Sequence, residues 1–267
     1  MIQTFLAEFS AAWNAFIRIP LPAFLTGDHN SSEYPMIDGH PALLRIMMPA
    51  IGLLLGFLAA LLLWILRVFT ERNLPVGIVG MTVIPLMLEI ANSWQGLTAL
   101  ANFIDLRRQG SSVDDALSAA PVSINDSRSG GSMILLMTLY LIRMIFCGIL
   151  AVFVPFWFMV ALTGAWLVRS ELTTLNRPGD PGHPWLKVPR GLGKHHWYVA
   201  AVAMLVCGFL YPFGILSAFL VSWAFSWLAK NLCLETVSGI NRQLLDLFGY
   251  SAELVLMFLG ILLYASV

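Results

Sequence analysis

Long apolar segments dominate this chain and constrain its fold more than any other feature. A helix needs about 20 apolar residues to cross the hydrocarbon core of a bilayer. Candidate segments lie at 46–69, 76–104, 131–153, 155–175, 197–211, 213–234 and 250–267. The fifth is short, and the breaks at Pro155 and Pro212 are tight. Six to seven transmembrane helices are therefore predicted.

The composition supports the same fold class. Of the 267 residues, 58% are hydrophobic and 11% are charged, with a mean hydropathy of +0.80. A soluble chain averages about 45 to 50% apolar and about 25% charged residues. We therefore predict an all-α, polytopic integral membrane helical bundle whose partner is the lipid bilayer. The 15 basic and 15 acidic residues cancel, so net charge gives no reason to expect a nucleic-acid partner.

The chain is interpreted as one membrane domain over residues 1–267. We find no internal repeat, low-complexity tract or linker that would divide it. Apolar residues repeat every three or four positions near the N-terminus, which predicts an interfacial amphipathic helix over 1–24, ended by Pro20 and Pro22. The transmembrane bundle is predicted over 42–267. The three cysteines lack metal-ligand spacing and are interpreted as packing residues.

The distribution of lysine and arginine predicts the orientation. Basic residues are concentrated in alternate loops, which cytoplasmic loops favour. An N-terminus inside the cell places 105–130, 176–196 and 235–249 together on the cytoplasmic face, while the other side keeps mainly Arg67 and Arg72. This pattern predicts a multi-pass protein of the cytoplasmic (inner) membrane whose motif loops face the cytosol.

The first of these polar segments contains "INDSRSGGSM", directly before an apolar span. Glycines at a helix start let backbone N–H groups approach a phosphate, and a helix N-terminus favours an anion. Asp126 would then bind Mg²⁺, and Arg128 would bind a phosphate oxygen. An ordinary helix cap formed by Asp126 or Ser127 is the alternative interpretation.

The second polar segment contains "KVPRGLGKHHW". Arg190 with Gly191 and Gly193 would form a flexible basic loop that covers an anion or a nucleotide. A positive juxtamembrane loop followed by belt aromatics is the alternative.

The third segment leads into the last span. Asp246, Gly249 and Glu253 are spaced to share one helix face, and Glu253 falls inside the span. An ionisable residue at that depth is expensive and indicates a functional site. The alternative is a glutamate close enough to the interface to stay hydrated.

Amides and hydroxyls interrupt the second apolar segment. In "IANSWQGLTALANFIDLRR" they recur at roughly helical spacing, at Asn92, Ser93, Gln95, Thr98 and Asn102. Interhelical hydrogen bonds, worth about 0.6 to 2 kcal/mol each, would explain such residues without a catalytic role.

The order of these features resembles the cobalamin phosphate synthase family, the adenosylcobinamide-GDP ribazoletransferases. The resemblance implies a multi-span helical enzyme of the inner membrane that uses Mg²⁺. Its substrates would be adenosylcobinamide-GDP and alpha-ribazole or alpha-ribazole phosphate, and it would release GMP. The stretches that carry the resemblance are "FIRIPLP" at 16–22, "PAIGLLLG" at 49–56, "QGL" at 95–97, "DSRSGG" at 126–131, "GLG" at 191–193, and Asp246, Gly249 and Glu253.

The chain departs from the family where the family is most acidic. The corresponding helix there carries a pattern like H-x-D-G-L-A-D-x-x-D, with three aspartates on one face for a divalent cation. Here those positions read Ser93, Gln95, Ala99 and Asn102. Asp105 lies at the edge of this face and is a candidate substitute. The family's "GGxxGD" is also reduced, since only Asp246 is kept after Ser238 and Gly239.

The resemblance and the residues together give one set of candidate site residues. The catalytic candidates are Asp126, Asp246 and Glu253. The metal candidates are Asp105, Asp126 and Asp246. The substrate-binding candidates are Gln95, Asn102, Ser127, Arg128, Gly130, Gly131, Arg190, Gly191 and Gly193.

Two other functions remain open at this point. A catalytically impaired homologue would bind a corrinoid or scaffold a membrane assembly, which the missing carboxylates favour. A small transporter would line a path with Glu253, Arg143 and the amides, but the sequence contains no inverted repeat to support it. A homo-oligomer is compatible with either function.

Overall fold

The computed structural model describes residues 9–10, 13, 17, 41–70, 73–92, 94–118, 130–172, 196–236 and 242–265. Within these residues all regular secondary structure is helical, joined by short turns, and there are no strands. The helices are α1 (Pro41–Thr70), α2 (Asn73–Ala91), α3 (Gln95–Arg108), α4 (Val113–Ser118), α5 (Gly130–Phe153), α6 (Trp157–Leu172), α7 (His196–Leu210), α8 (Pro212–Thr236) and α9 (Arg242–Gly260), which ends in a π-helical turn, Ile261–Ala265. The predicted all-α bundle is confirmed.

Five of these helices contain a stretch long and apolar enough to cross a membrane. The stretches are Met47–Thr70, Asn73–Ala91, Met133–Phe153, Pro212–Ala229 and Leu244–Tyr264, and a shorter apolar stretch covers Tyr198–Leu210. Large apolar side chains such as Leu74, Ile134 and Phe209 lie exposed on the outside of the bundle. Such a surface suits lipid rather than water, and the chain is a multi-pass membrane protein.

Proline sets several of the helix boundaries. Pro41 and Pro212 are the first residues of α1 and α8, where the missing N–H is not needed by the helix. Pro155 follows the end of α5, because a residue before proline avoids the helical conformation. The tight breaks predicted at Pro155 and Pro212 are therefore present.

Helix α6 lies at the centre of the bundle. It contacts α1, α7, α8 and α9, and all of its residues except Glu171 are buried. At 16 residues it measures about 24 Å, which is shorter than a typical hydrocarbon core. Because protein surrounds α6, its short length leaves no polar backbone facing lipid.

Glycines allow α1 to approach α6 closely. A Cβ atom at Gly52 or Gly56 would lie 2.5 Å from the Leu162 carbonyl oxygen or the Met159 Cα atom, respectively. Small residues at such contacts let helix backbones meet in a membrane, where no hydrophobic force drives helices together.

A second layer consists of α2, α3, α5 and α9. Helix α5 runs antiparallel to α2, with Gly77 near Val152 and Glu89 paired with Arg143. The same order continues to α3, because Trp94, which precedes it, contacts Tyr140, and Leu97 and Ala101 cluster with Leu136. Helix α9 runs parallel to α5, as contacts of Arg143 with Tyr250 and of Phe146 with Phe258 indicate.

The predicted interfacial helix lies mostly outside the described residues. Three described positions within it, Phe9, Trp13 and Ile17, are buried in the main hydrophobic core of the bundle. The apolar face predicted from their spacing therefore packs against protein at these positions.

Candidate functional site

The structure describes only part of the predicted site. Gly130 and Gly131 form the first residues of α5, as expected for glycines at a helix start. Six predicted site residues lie outside the described residues, namely Asp126, Ser127, Arg128, Arg190, Gly191 and Gly193. The remaining candidates, Gln95, Asn102, Asp105, Asp246 and Glu253, lie on α3 and α9.

The amide-rich segment breaks the helix instead of continuing it. The span predicted over 76–104 is wrong in this respect, because α2 ends at Ala91 and α3 begins at Gln95. Trp94 adopts a left-handed conformation with φ of 61°, which is costly for a residue with a side chain. The Trp94 N–H donates to the Glu89 carbonyl at 2.9 Å, and the Gln95 N–H donates to the Asn92 carbonyl at 3.1 Å.

The amide-bearing helix α3 packs against α9. A Cβ atom at Gly96 would lie 2.9 Å from the Tyr250 side chain, so only glycine permits this approach. The two helices run antiparallel. Asn102 lies about 9 Å from Gly96 along α3, and Asp246 lies about 6 Å from Tyr250 along α9, in the same direction. Asn102 and Asp246 are thus at similar depth, near one end of the bundle.

A buried arginine lies at this end. Arg169 of α6 is 3.8 Å from Asp246, measured from Nε to Oδ1, and its guanidinium lies 4.6 Å from the centre of the Trp166 ring. Gly249 packs directly against the same guanidinium, where any side chain would clash. Of the three residues predicted to share a helix face, Asp246 and Gly249 therefore face Arg169, whereas Glu253 pairs with Arg143 of another helix. We call Asn102, Arg169 and Asp246 the polar end.

Asp105 interacts with its own helix. Its carboxylate accepts a hydrogen bond from Gln109 at 2.8 Å and lies 3.5 Å from Arg108. Among the residues that the structure describes, no three histidine, cysteine or acidic side chains are grouped to hold a metal ion. Asp105 and Asp246 alone do not form a Mg²⁺ site.

Glu253 lies in a different environment from Asp246. Arg143 of α5 donates to Glu253 and, through its other terminal nitrogen, to Glu89 of α2. At most 1% of any of these three side chains is exposed. We call Glu89, Arg143 and Glu253 the ion triad. Because seven residues separate Glu253 from Asp246, the triad lies about 10 Å deeper along α9 than the polar end.

Tyr250 connects the polar end and the ion triad. Its ring contacts Gly96 on one side, and the Arg143 guanidinium lies 5.0 Å from its centre. The buried Arg143 Nε has no hydrogen-bond partner among the described residues, and the buried Tyr250 hydroxyl lies beside the Glu89 carboxyl.

Sequence reasoning missed three of these residues. Glu89 stands alone in the apolar run "PLMLEIA", and the rule that selected Glu253 would have selected it too. Arg169 lies near the end of the apolar segment 155–175, where a basic residue is ordinary at a cytoplasmic boundary, so its sequence position indicates no further role. Tyr250 carries no distinguishing pattern, because its importance comes from the helices that meet around it.

Comparisons with family models, with curated proteins and with solved structures found no match for this chain. The geometry and the quoted stretches of sequence are thus the basis for a functional proposal.

Proposed function

We propose that this chain is a membrane transferase of late cobalamin biosynthesis, which joins alpha-ribazole or its phosphate to adenosylcobinamide-GDP and releases GMP. One observation carries the proposal. Helices α3, α6 and α9 bring Asn102, Arg169 and Asp246 to the same end of the bundle; Asp246 belongs to the residues that resemble the family, and Asn102 stands where the family pattern has an aspartate.

The polar end has groups suited to a nucleotide diphosphate. Arg169 supplies a guanidinium whose planar donors match phosphate oxygens. Its low exposure would strengthen that attraction, because the surrounding dielectric is low. Gln95 and Asn102 are half-buried on α3 and can donate or accept hydrogen bonds without adding charge that would repel the phosphates.

In the proposed reaction, a ribose hydroxyl of the incoming nucleoside attacks the phosphorus that carries the corrinoid side chain. The bond from that phosphorus to the oxygen bridging to GMP breaks, and GMP leaves with the bonding electrons. The hydroxyl proton passes to a base, for which Asp246 is the described candidate. Such a transfer depends mainly on alignment and on stabilising charge. Glu253 lies too deep to contact the same atoms as Asp246, so its catalytic role stays a prediction.

A non-catalytic corrinoid-binding protein is the second candidate. The neutral Gln95 and Asn102 favour it, since they replace the aspartates of the family pattern. Within the part of the chain that the structure describes, no metal-ligating group compensates for that loss.

The test is GMP release by the purified protein in lipid nanodiscs, supplied with adenosylcobinamide-GDP and alpha-ribazole phosphate over a Mg²⁺ titration. An active member of the resembling family is assayed in parallel. We expect GMP release that depends on both substrates. Binding of adenosylcobinamide-GDP without GMP release, at every Mg²⁺ concentration, would contradict the transferase and support the binding protein.

A further inference from the structure

We propose that the ion triad binds one exchangeable proton, and that this proton balances its charge inside the membrane. The proposal does not depend on the transferase function. It rests on the depth of the triad, on its charge and on an unsatisfied polar atom.

Two residues of the triad, Arg143 and Glu253, lie near the middle of their apolar stretches, whereas Glu89 lies near the end of Asn73–Ala91. Arg143 is ten residues from each end of the apolar stretch Met133–Phe153. Glu253 is similarly central in Leu244–Tyr264. At a rise of about 1.5 Å per residue, Arg143 is about 15 Å from both ends of its stretch. Ionised groups at this depth are costly unless their charges are balanced.

The charges of the triad do not balance when all three groups are ionised. Two carboxylates face one guanidinium, which leaves one net negative charge. Among the described residues, the other titratable groups around the triad are Tyr140 and Cys147 of α5 and Tyr250 of α9. A phenol and a thiol are ordinarily neutral near neutral pH, so they add no positive charge. A proton on one carboxyl group removes the imbalance.

An unsatisfied atom at the triad provides a second observation. The Arg143 Nε lacks a hydrogen-bond partner among the described residues, whereas the Tyr250 hydroxyl lies beside the Glu89 carboxyl, to which it can donate. Each of these side chains is at least nine-tenths buried. Buried polar groups are normally hydrogen-bonded, so the unpartnered Nε–H donor indicates that an acceptor such as a water molecule belongs at this place, and such a water could exchange a proton with the triad.

A proton fits this place better than a metal cation does. Arg143 lies between the two carboxyl groups and donates to both of them. A metal cation bound there would therefore be repelled by the adjacent guanidinium. A proton does not have to lie between the two carboxyl groups, because it can reside on a carboxyl oxygen that Arg143 does not contact.

The helix break provides a connection from the triad toward the polar end. Glu89 contributes its carboxyl group to the triad and its backbone carbonyl to the Trp94 N–H. Asn92 lies in the break and Gln95 directly follows it, and both are half-buried polar residues. The proton would exchange between the triad and the polar end along the side of the bundle that carries Asn92 and Gln95.

Infrared spectroscopy of the protein in nanodiscs tests the proposal. We expect a protonated-carboxyl C=O band near neutral pH, equivalent to one group per chain, which shifts in D2O. The band should be lost in Glu89→Gln and also in Glu253→Gln, because Arg143 then balances the one remaining carboxylate. Glu171→Gln is the control and should retain the band.

The opposite results would overturn the proposal. Absence of the band from the wild-type protein near neutral pH would mean that both carboxyl groups are ionised. A wild-type thermal stability that rises with Na⁺ would then indicate a bound cation instead. Retention of the band in both Gln variants would place the proton elsewhere. If one Gln variant fails to fold, the other is compared with the wild-type protein and with Glu171→Gln, and retention of the band in it would count against the triad.

Discussion

At the scale of single residues, Arg143 is the buried charge that most requires specific partners from other helices. Its side chain is fully buried and contacts carboxyl groups from two other helices, α2 and α9. Removing one partner of a buried ion pair lowers the free energy of unfolding far more than removing one partner of an exposed pair. The reason is that the remaining buried charge has no compensating charge. The triad therefore ties the positions of three helices to one side chain.

Replacing Arg143 should destabilise the bundle severely. Arg143→Met leaves two carboxyl groups buried without a cation, and we expect a loss of about 3 kcal/mol or more in the free energy of unfolding. Thermal unfolding in detergent would measure it. Arg108→Met is the matched control, since its side chain is 65% exposed beside Asp105, and its effect should stay below about 1 kcal/mol. Equal stability of the two variants would contradict the importance of the triad.

A second prediction concerns a residue of the predicted phosphate site. Asp126→Asn should abolish GMP release if Asp126 binds a metal-bound diphosphate, because an amide cannot neutralise the charge of the cation. Turnover close to that of the wild-type protein would eliminate this site.

At the scale of helices, hydrophobicity predicted where most of the elements lie. The segments around 46–69, 131–153 and 213–234 correspond to α1, α5 and α8, because an apolar run of that length has few alternatives to a helix in lipid. The break after Ala91 was not predicted. Its signal is the left-handed Trp94, and no sequence rule assigns that conformation to tryptophan.

Close helix contacts also escaped the sequence analysis. Gly56 stands in an apolar run like many other glycines, and only the packed bundle shows that α6 occupies the space beside it. The same applies to Gly96, which admits Tyr250 and so brings α9 against the amide-bearing helix. Hydropathy identifies segments, but it does not indicate which of their faces meet.

The contact between α1 and α6 can be tested by overpacking. Gly56→Leu would force a side chain into the backbone of Met159, and we expect a loss of about 1 to 3 kcal/mol. Leu58→Ala is the control on the same helix, because Leu58 is exposed toward lipid. Chemical or thermal unfolding in mixed micelles would compare them. A larger loss for the Leu58 variant would contradict the packing of α1 on α6.

At the scale of the whole molecule, the polar end and the ion triad lie at two different depths in the bundle. The polar end lies near one end of the bundle, where α9 packs against both α3 and α6, and the ion triad lies deeper, between α2, α5 and α9. Helix α9 takes part in both. The sequence selected Asp246 and Glu253 on this helix, but it could not show that they have different partners, because those partners come from distant segments.

The predicted orientation gives a test at this scale. Arg108→Cys and Phe69→Cys, each in a cysteine-free background, place single exposed thiols at the ends of α3 and α1. In right-side-out membrane vesicles, an impermeant maleimide should label the cysteine at position 69 and spare that at position 108, since basic loops favour the cytoplasm. The reverse pattern would invert the topology and place the polar end outside the cell.

The central claim is that the polar end carries out phosphoryl transfer, and Asp246→Asn tests it most directly. The substitution preserves shape and removes a carboxylate that can accept a proton. Asp115→Asn is the matched control, because Asp115 is exposed on α4 and hydrogen-bonded to Ser112. We predict that GMP release falls about 100-fold or more in Asp246→Asn and is unchanged in Asp115→Asn. Wild-type rates of GMP release in both variants would contradict the account.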